Sequence, residues 1–178
     1  MSASTPTPSA PSPTLVVVMG VSASGKSTLG SRLAKAEGWD FLEGDDLHPA
    51  ANIAKMKAGI ALTDADRGPW LEALAHWIAG QKQARRSGVI ACSALRRPYR
   101  DRLRAADPQL RLAYLQVPRA ELAQRMRTRS HFMPPSLLDS QLATLEEPAP
   151  DEHALYLDGS APIHATLAQL RRWLRPPA

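Results

Sequence analysis

The sequence predicts an α/β fold in which five parallel strands form one sheet with helices on both faces. Three observations carry that prediction. Short β-rich runs alternate with amphipathic segments along most of the chain. The first run, Leu15–Met19, is wholly apolar, as a strand covered on both faces must be. A glycine-bounded loop with phosphate-binding spacing, Gly20 to Ser27, follows that run directly.

The elements follow in order. Residues 1–14 hold only Ser, Thr, Pro and Ala after Met1, offer nothing to bury, and are expected to be a disordered tail. A single domain is expected from residue 15 to about 175. After the first strand and its loop, a helix runs to about Glu37, and Trp39–Glu43 reads as the second strand. His48–Lys57 reads as a short helix. Thr63 with Asp66 three places on resembles a capping box. From about Arg67 to Arg85, Trp70, Leu71, Leu74, Trp77 and Ile78 recur at helical spacing. Val89–Cys92 and Leu110–Val117 read as the third and fourth strands, with the stretch after Cys92 read as a cation-rich strand end. Pro118 opens a helix to about Arg129. Residues 130–136 form a loop, and a helix follows near Leu137–Leu145. Ala154–Leu157 is the last strand, and Ile163, Leu167, Leu170 and Leu174 line one face of the closing helix.

Composition narrows the function classes. Apolar residues make up 44% and charged residues 22% of 178, the balance of an ordinary globular domain. No apolar run is long enough to span a membrane, and no basic-then-apolar leader opens the chain. Cys92 is the single cysteine, which excludes an intrachain disulfide framework and a cysteine metal site. A cytoplasmic location is expected. The net charge of +5 comes from arginines spread along helices rather than gathered among aromatics. That pattern suits an enzyme with anionic ligands better than a nucleic-acid binder.

Gly20-Val21-Ser22-Ala23-Ser24-Gly25-Lys26-Ser27 fits GxxxxGK[ST] in full, between a buried strand and a helix. The two glycines let the backbone approach phosphate oxygens with no Cβ in the way. The loop N–H groups and the positive end of the next helix then face the anion. Lys26 reaches the β- and γ-phosphates of ATP, and the Ser27 hydroxyl completes a Mg²⁺ shell. Thr28 joins Ser22 and Ser24 as a weaker phosphate contact.

The acceptor side is expected beyond the second strand, where Gly44-Asp45-Asp46-Leu47-His48-Pro49 faces the crevice. Asp45 suits either taking a hydroxyl proton or holding the Mg²⁺ water shell. It also suits a helix cap, a role that Asp46 fits better. His48 reads equally well as a structural hydrogen bonder. The capping box accounts for Asp64 and Asp66, whereas Arg67 offers a fork that grips a carboxylate at two points. Arg96, Tyr99 and Arg100 stand beyond the third strand, and Cys92 reads as a small buried residue.

Taken together, these residues make the chain resemble the gluconokinase family of sugar-acid kinases. The segments that carry the resemblance are the phosphate loop, GDDLHP (44–49), NIAKM (52–56), LTDADRGPWL (62–71), CSALRRPYR (92–100), HFMPPSLLDSQLATLE (131–146) and DE (151–152). The resemblance implies a P-loop, nucleoside-monophosphate-kinase-like fold with a lid at about 125–137. It implies ATP and Mg²⁺ as cofactors and D-gluconate as the partner, phosphorylated to 6-phospho-D-gluconate for the pentose phosphate or Entner–Doudoroff route. It allows a homodimer. Carried over, Lys26, Asp45 and Arg129 are the catalytic candidates. Asp45, His48, Arg67, Arg96, Arg100 and His131 are the substrate-binding ones, and a loop near Asp158–Ser160 borders the adenine.

Two departures stand out. The family's usual phosphate loop has Gly where this chain has Ala23, which is costly if that position needs a positive φ. The spacing between Arg129 and His131 is one residue short, which leaves the roles of Arg125, Arg127 and Arg129 open. The rival readings are a shikimate-type kinase on the same fold and an ATP-binding switch without catalysis.

Overall fold

The computed structural model describes residues 12–128, 134 and 136–175. The expected tail lies almost wholly outside the described residues, as do Arg129 and His131.

The sheet is β1 (Leu15–Met19), β2 (Asp40–Glu43), β3 (Gly88–Ala91), β4 (Arg111–Gln116) and β5 (Leu155–Asp158), in the spatial order β2-β3-β1-β4-β5. Every pairing is parallel, as expected. β1 lies at the centre, between β3 and β4, so strand order reverses there and the crevice beyond its carboxyl end is where ligands collect. The helices are α1 (Lys26–Glu37), α2 (Ala50–Lys57), α3 (Asp64–Gln83), α4 (Arg97–Ala106), α5 (Arg119–Thr128), α6 (Ser136–Thr144) and α7 (Ile163–Leu174).

The two-residue period of a strand divides the core in two. Leu15, Val17 and Met19 of β1 join Ile90, Leu112 and Tyr114 on one face, beneath Trp70, Leu74 and Ile78 of α3 and Leu103 of α4. Val16 and Val18 join Val89, Ala113, Leu115 and Leu157 on the other, beneath Leu29 and Leu33 of α1 and Leu170 of α7. An apolar β1 is therefore the consequence of being covered twice.

Three elements differ from expectation. α2 begins at Ala50, not His48, because the residue before a proline is barred from helical angles. His48 is accordingly extended (φ −65, ψ 134) and follows a single 3₁₀ turn, Gly44–Leu47. α3 begins at Asp64, three residues early. Thr63 Oγ1 accepts from the Asp66 N–H, and Asp66 accepts from the Thr63 N–H at 2.9 Å. The capping box and the acids of the first turn start the helix directly after Thr63, ahead of the first apolar residue of the periodic stretch. α4 went unread. Its sequence, RPYRDRLRAA, has few apolar residues, and only Tyr99, Arg100 and Leu103 turn inward.

Candidate active site

The phosphate loop joins β1 to α1 and lies against the rest of the crevice. A Cβ at Gly20 would stand 2.6 Å from Ser24 Oγ and 3.1 Å from the Leu115 carbonyl oxygen, so the loop closes only with glycine there. Gly25 has φ +96, the left-handed region glycine favours. Ala23 has φ 65, so the departure noted above falls at a position that does need a positive φ. The cost is about 1–2 kcal/mol. Its methyl is buried among Val21, Leu95 and Leu122, which offsets part of that strain. Lys26 is 7% exposed, whereas Ser27 and Thr28 are open to solvent. Ser24 Oγ is buried with no hydrogen-bond partner among the described residues.

One cavity gathers groups from both halves of the expected site. Ser22 and Lys26 line it from the phosphate loop, and Asp45, His48 and Arg67 line it from the far side. With its open mouth it encloses about 530 Å³. Three of the expected acceptor residues thus meet beside the lysine.

The Arg67 guanidinium is held by the Leu62 carbonyl at 2.8 Å and the Tyr99 hydroxyl at 3.2 Å, both through Nη1. Nε and Nη2 have no hydrogen-bond partner among the described residues and remain a side-on pair of donors. Tyr99 donates in turn to Asp64. Burial, then Asp64, pushes the Tyr99 phenol above its ordinary pKa, so it stays a donor. His48 stacks on Trp70 with ring centroids 4.3 Å apart, and its Nε2 lies 4.0 Å from Asp45 Oδ1. Burial lowers the His48 pKa and Arg67 lowers it further, against the opposing pull of Asp45.

Other expected residues are placed elsewhere. Arg100 is fully buried and does not reach the cavity. Its Nε and Nη2 bind Glu152 at 2.6 and 2.8 Å, and its Nη1 donates to the Ala94 and Glu146 carbonyls at 3.0 Å. The reason is α4, which turns residue 100 inward. Arg96 is spent on Asp64 at 2.8 Å and Glu146 at 3.1 Å and does not line the cavity. Arg125, at the start of the expected lid, donates to the Ala23, Ser24 and Gly159 carbonyls and so braces the phosphate loop. Arg127 is exposed at the end of α5. Cys92 is buried, and its thiol is pushed up to about 12 chiefly by that burial, so it is inert.

Two functional candidates were missed. Glu43 ends β2 beside Ser27 and Asp45. Burial raises its pKa, Asp45 adds to the rise, and Ser27 and Lys26 oppose it. Its Oε1 is buried without a partner among the described residues. The signal was its place as the last residue of a strand whose carboxyl end faces the crevice. Gln141 of α6 accepts from the Ser22 N–H at 2.7 Å, and no local pattern could have brought those two together.

A parallel sheet with a phosphate loop at its switch point and an acceptor cavity alongside defines a P-loop kinase for small molecules. The family model described as an AAA domain matches residues 15–148. The Gluconobacter oxydans gluconokinase is 47% identical over 90% of this chain and 90% of its own length. An unliganded sugar kinase from Janibacter superposes with a TM-score of 0.88 at 46% identity, covering 91% of this chain and 94% of the other. A gluconokinase from Sinorhizobium meliloti superposes at 0.79 with 45% identity, covering 91% and 95%. The chain belongs to the gluconokinase family.

Proposed function

We propose that the protein transfers the γ-phosphate of ATP to D-gluconate, giving ADP and 6-phospho-D-gluconate. The observation that carries this reading is the shared cavity: Lys26 and the phosphate loop form one wall, Asp45, His48 and Arg67 the other. The names borne by its relatives agree with that arrangement.

The chemistry follows from the residues. The loop N–H groups and the start of α1 hold the β- and γ-phosphates, and Lys26 neutralises the charge spread over the transferring group. Arg67 takes the acceptor's carboxylate on Nε and Nη2. Asp45 orients the acceptor hydroxyl and accepts its proton as the new O–P bond forms and the bond to ADP breaks. The donors beside the loop, the Ser27 hydroxyl and the Glu43 Oε1 that has no partner among the described residues, fit a hard cation that binds oxygen. Ser27 and Glu43 would hold Mg²⁺ there, and its charge would help neutralise that of the transferring phosphoryl group. Mg²⁺ dependence, a lid near 125–137, a cytoplasmic location and a homodimer all belong to this reading.

The test is ADP release from purified protein with Mg·ATP and a panel of gluconate, other aldonates, shikimate and nucleoside monophosphates. Gluconate should be the best acceptor, and Lys26→Ala should lose turnover by orders of magnitude while remaining folded. Strong turnover of shikimate with none on gluconate would restore the rival kinase reading. Slow ATP hydrolysis indifferent to every acid would restore the switch.

A further inference from the structure

The buried amide of Asn52, 4% exposed, determines which nitrogen of His48 carries the proton. Asn52 Nδ2 lies 2.8 Å from the Asp66 carbonyl oxygen. A carbonyl oxygen only accepts, so the group facing it is the NH₂ and the orientation of the amide follows. The same nitrogen lies 3.3 Å from His48 Nδ1. With one N–H on Asp66, the other points to Nδ1, which must be the bare, accepting nitrogen. A neutral imidazole has one proton, and it therefore sits on Nε2.

The ring has little freedom to turn away. It stacks on Trp70 at an interplanar angle of 12°, and the Trp70 Nε1–H is tied to the Gly44 carbonyl at 2.8 Å. Its Nε2–H then faces Asp45 across 4.0 Å, too far for a hydrogen bond between them. A donor and an anionic acceptor thus stand side by side in the wall of the cavity. An alcohol suits that pair because it donates to one and accepts from the other. A carboxylate or phosphate has only acceptors and meets the Asp45 charge. The charged groups around the ring are Asp45 from the turn after β2 and Arg67 from α3. Lys55 of α2 and Asp66 of α3 are paired with each other at 2.8 Å.

We propose that Asn52 and Trp70 hold His48 as an Nε2–H donor beside Asp45, and that the two side chains together recognise an alcohol hydroxyl of the acceptor. Asn52 is then a positioning residue, and His48 touches substrate. The hydroxyl assignment rests on reading this cavity as the gluconate site, while the tautomer does not.

The first measurement uses unliganded wild-type protein with ¹⁵N-labelled histidine and long-range proton–nitrogen spectra near neutral pH. His48→Gln identifies the resonances. A bare Nδ1 and protonated Nε2 are expected; the opposite tautomer overturns the proposal. The second uses Asn52→Asp, which sets a carboxylate against Nδ1 and favours Nδ1–H. At low pH the imidazolium still offers Nε2–H, so kcat/KM for gluconate is largely kept. As pH rises through the His48 pKa the ring is left with a bare Nε2, and kcat/KM should fall about tenfold, the worth of one hydrogen bond, with the KM for ATP unchanged. Wild-type protein should show no such limb. Parallel profiles for wild type and Asn52→Asp refute Asn52's role even if the variant is merely less stable. If the spectra show the expected tautomer yet gluconate is not phosphorylated, the tautomer stands and the recognition of a gluconate hydroxyl is overturned.

Discussion

At the residue scale, Asp45 and Arg67 separate chemistry from scaffolding. Asp45 lines the cavity from inside a single 3₁₀ turn whose cap positions are Glu43 and His48. Asparagine keeps its shape but cannot take a proton, so Asp45→Asn should bind Mg·ATP and gluconate within a few-fold while kcat falls about 10²-fold. A variant that is only less stable, by the roughly 1 kcal/mol of a lost cap, and still turns over normally would end its catalytic claim. Kinetics and a melting curve on one protein distinguish the two. Arg67→Lys keeps the charge and loses the side-on donor pair. A partly desolvated, charge-assisted contact is worth about 1.5–3 kcal/mol, so kcat/KM for gluconate should drop roughly ten- to a hundredfold. The KM for ATP should hardly move. Equal kinetics would leave Arg67 as a brace for Leu62 and Tyr99.

At the scale of elements, α4 is held by a buried ion pair rather than by apolar contacts alone. Arg100 is 0% and Glu152 1% exposed in the side chain, and the pair links α4 to the 3₁₀ turn at Pro150–Glu152. Arg104 adds a second cation to Glu152 at 3.2 Å. Burial works to raise the Glu152 pKa, but the hydrogen bonds from Arg100 and the Ala149 N–H prevail and hold it to about 2. Its folded pKa is thus depressed below the ordinary 4.5. The associated stability is present above pH 4.5 and is lost as pH falls toward 2. Glu152→Gln leaves the guanidinium buried and unpaired, and should cost about 3–5 kcal/mol in urea denaturation near neutral pH. The same variant should show a flatter loss of stability between pH 4.5 and 2 than the wild type. A change below about 1 kcal/mol would mean the pair is solvated in solution. The link matters for the site because Arg100 also holds the Ala94 carbonyl, between cavity-lining Ser93 and Leu95.

For the whole molecule, α6 connects the two halves of the site. Gln141 engages the Ser22 N–H of the phosphate loop, and Leu137 and Ser140 of the same helix line the acceptor cavity. A phosphate bound in the loop competes for that N–H, so nucleotide and acceptor should both act on α6 and on the segment leading into it. A kinase must also keep water from the γ-phosphate until the acceptor arrives. Amide exchange across 125–144 should therefore slow most when an ATP analogue and gluconate are present together. Equal protection in the empty enzyme would remove the lid from the mechanism.

Read alone, the sequence determined the parallel sheet, the phosphate loop and the cap of α3. These are local patterns: an apolar run, a glycine spacing, a threonine three residues before an acid. The resemblance extended that reading to Asp45, His48 and Arg67, which the fold brings into one cavity. It did not separate them from Arg96 and Arg100, because a string of arginines after a strand does not reveal which will face inward. Only the tertiary structure decided that Arg100 is spent on Glu152, 52 residues away, and Arg96 on Asp64 and Glu146. Gln141 and Asn52 were likewise out of reach, since their roles rest on contacts with a loop 119 residues distant and with a carbonyl on another helix. Local propensity specifies where a helix begins. Which polar side chain is consumed by the scaffold and which is left for a ligand depends on what the packed chain sets opposite it.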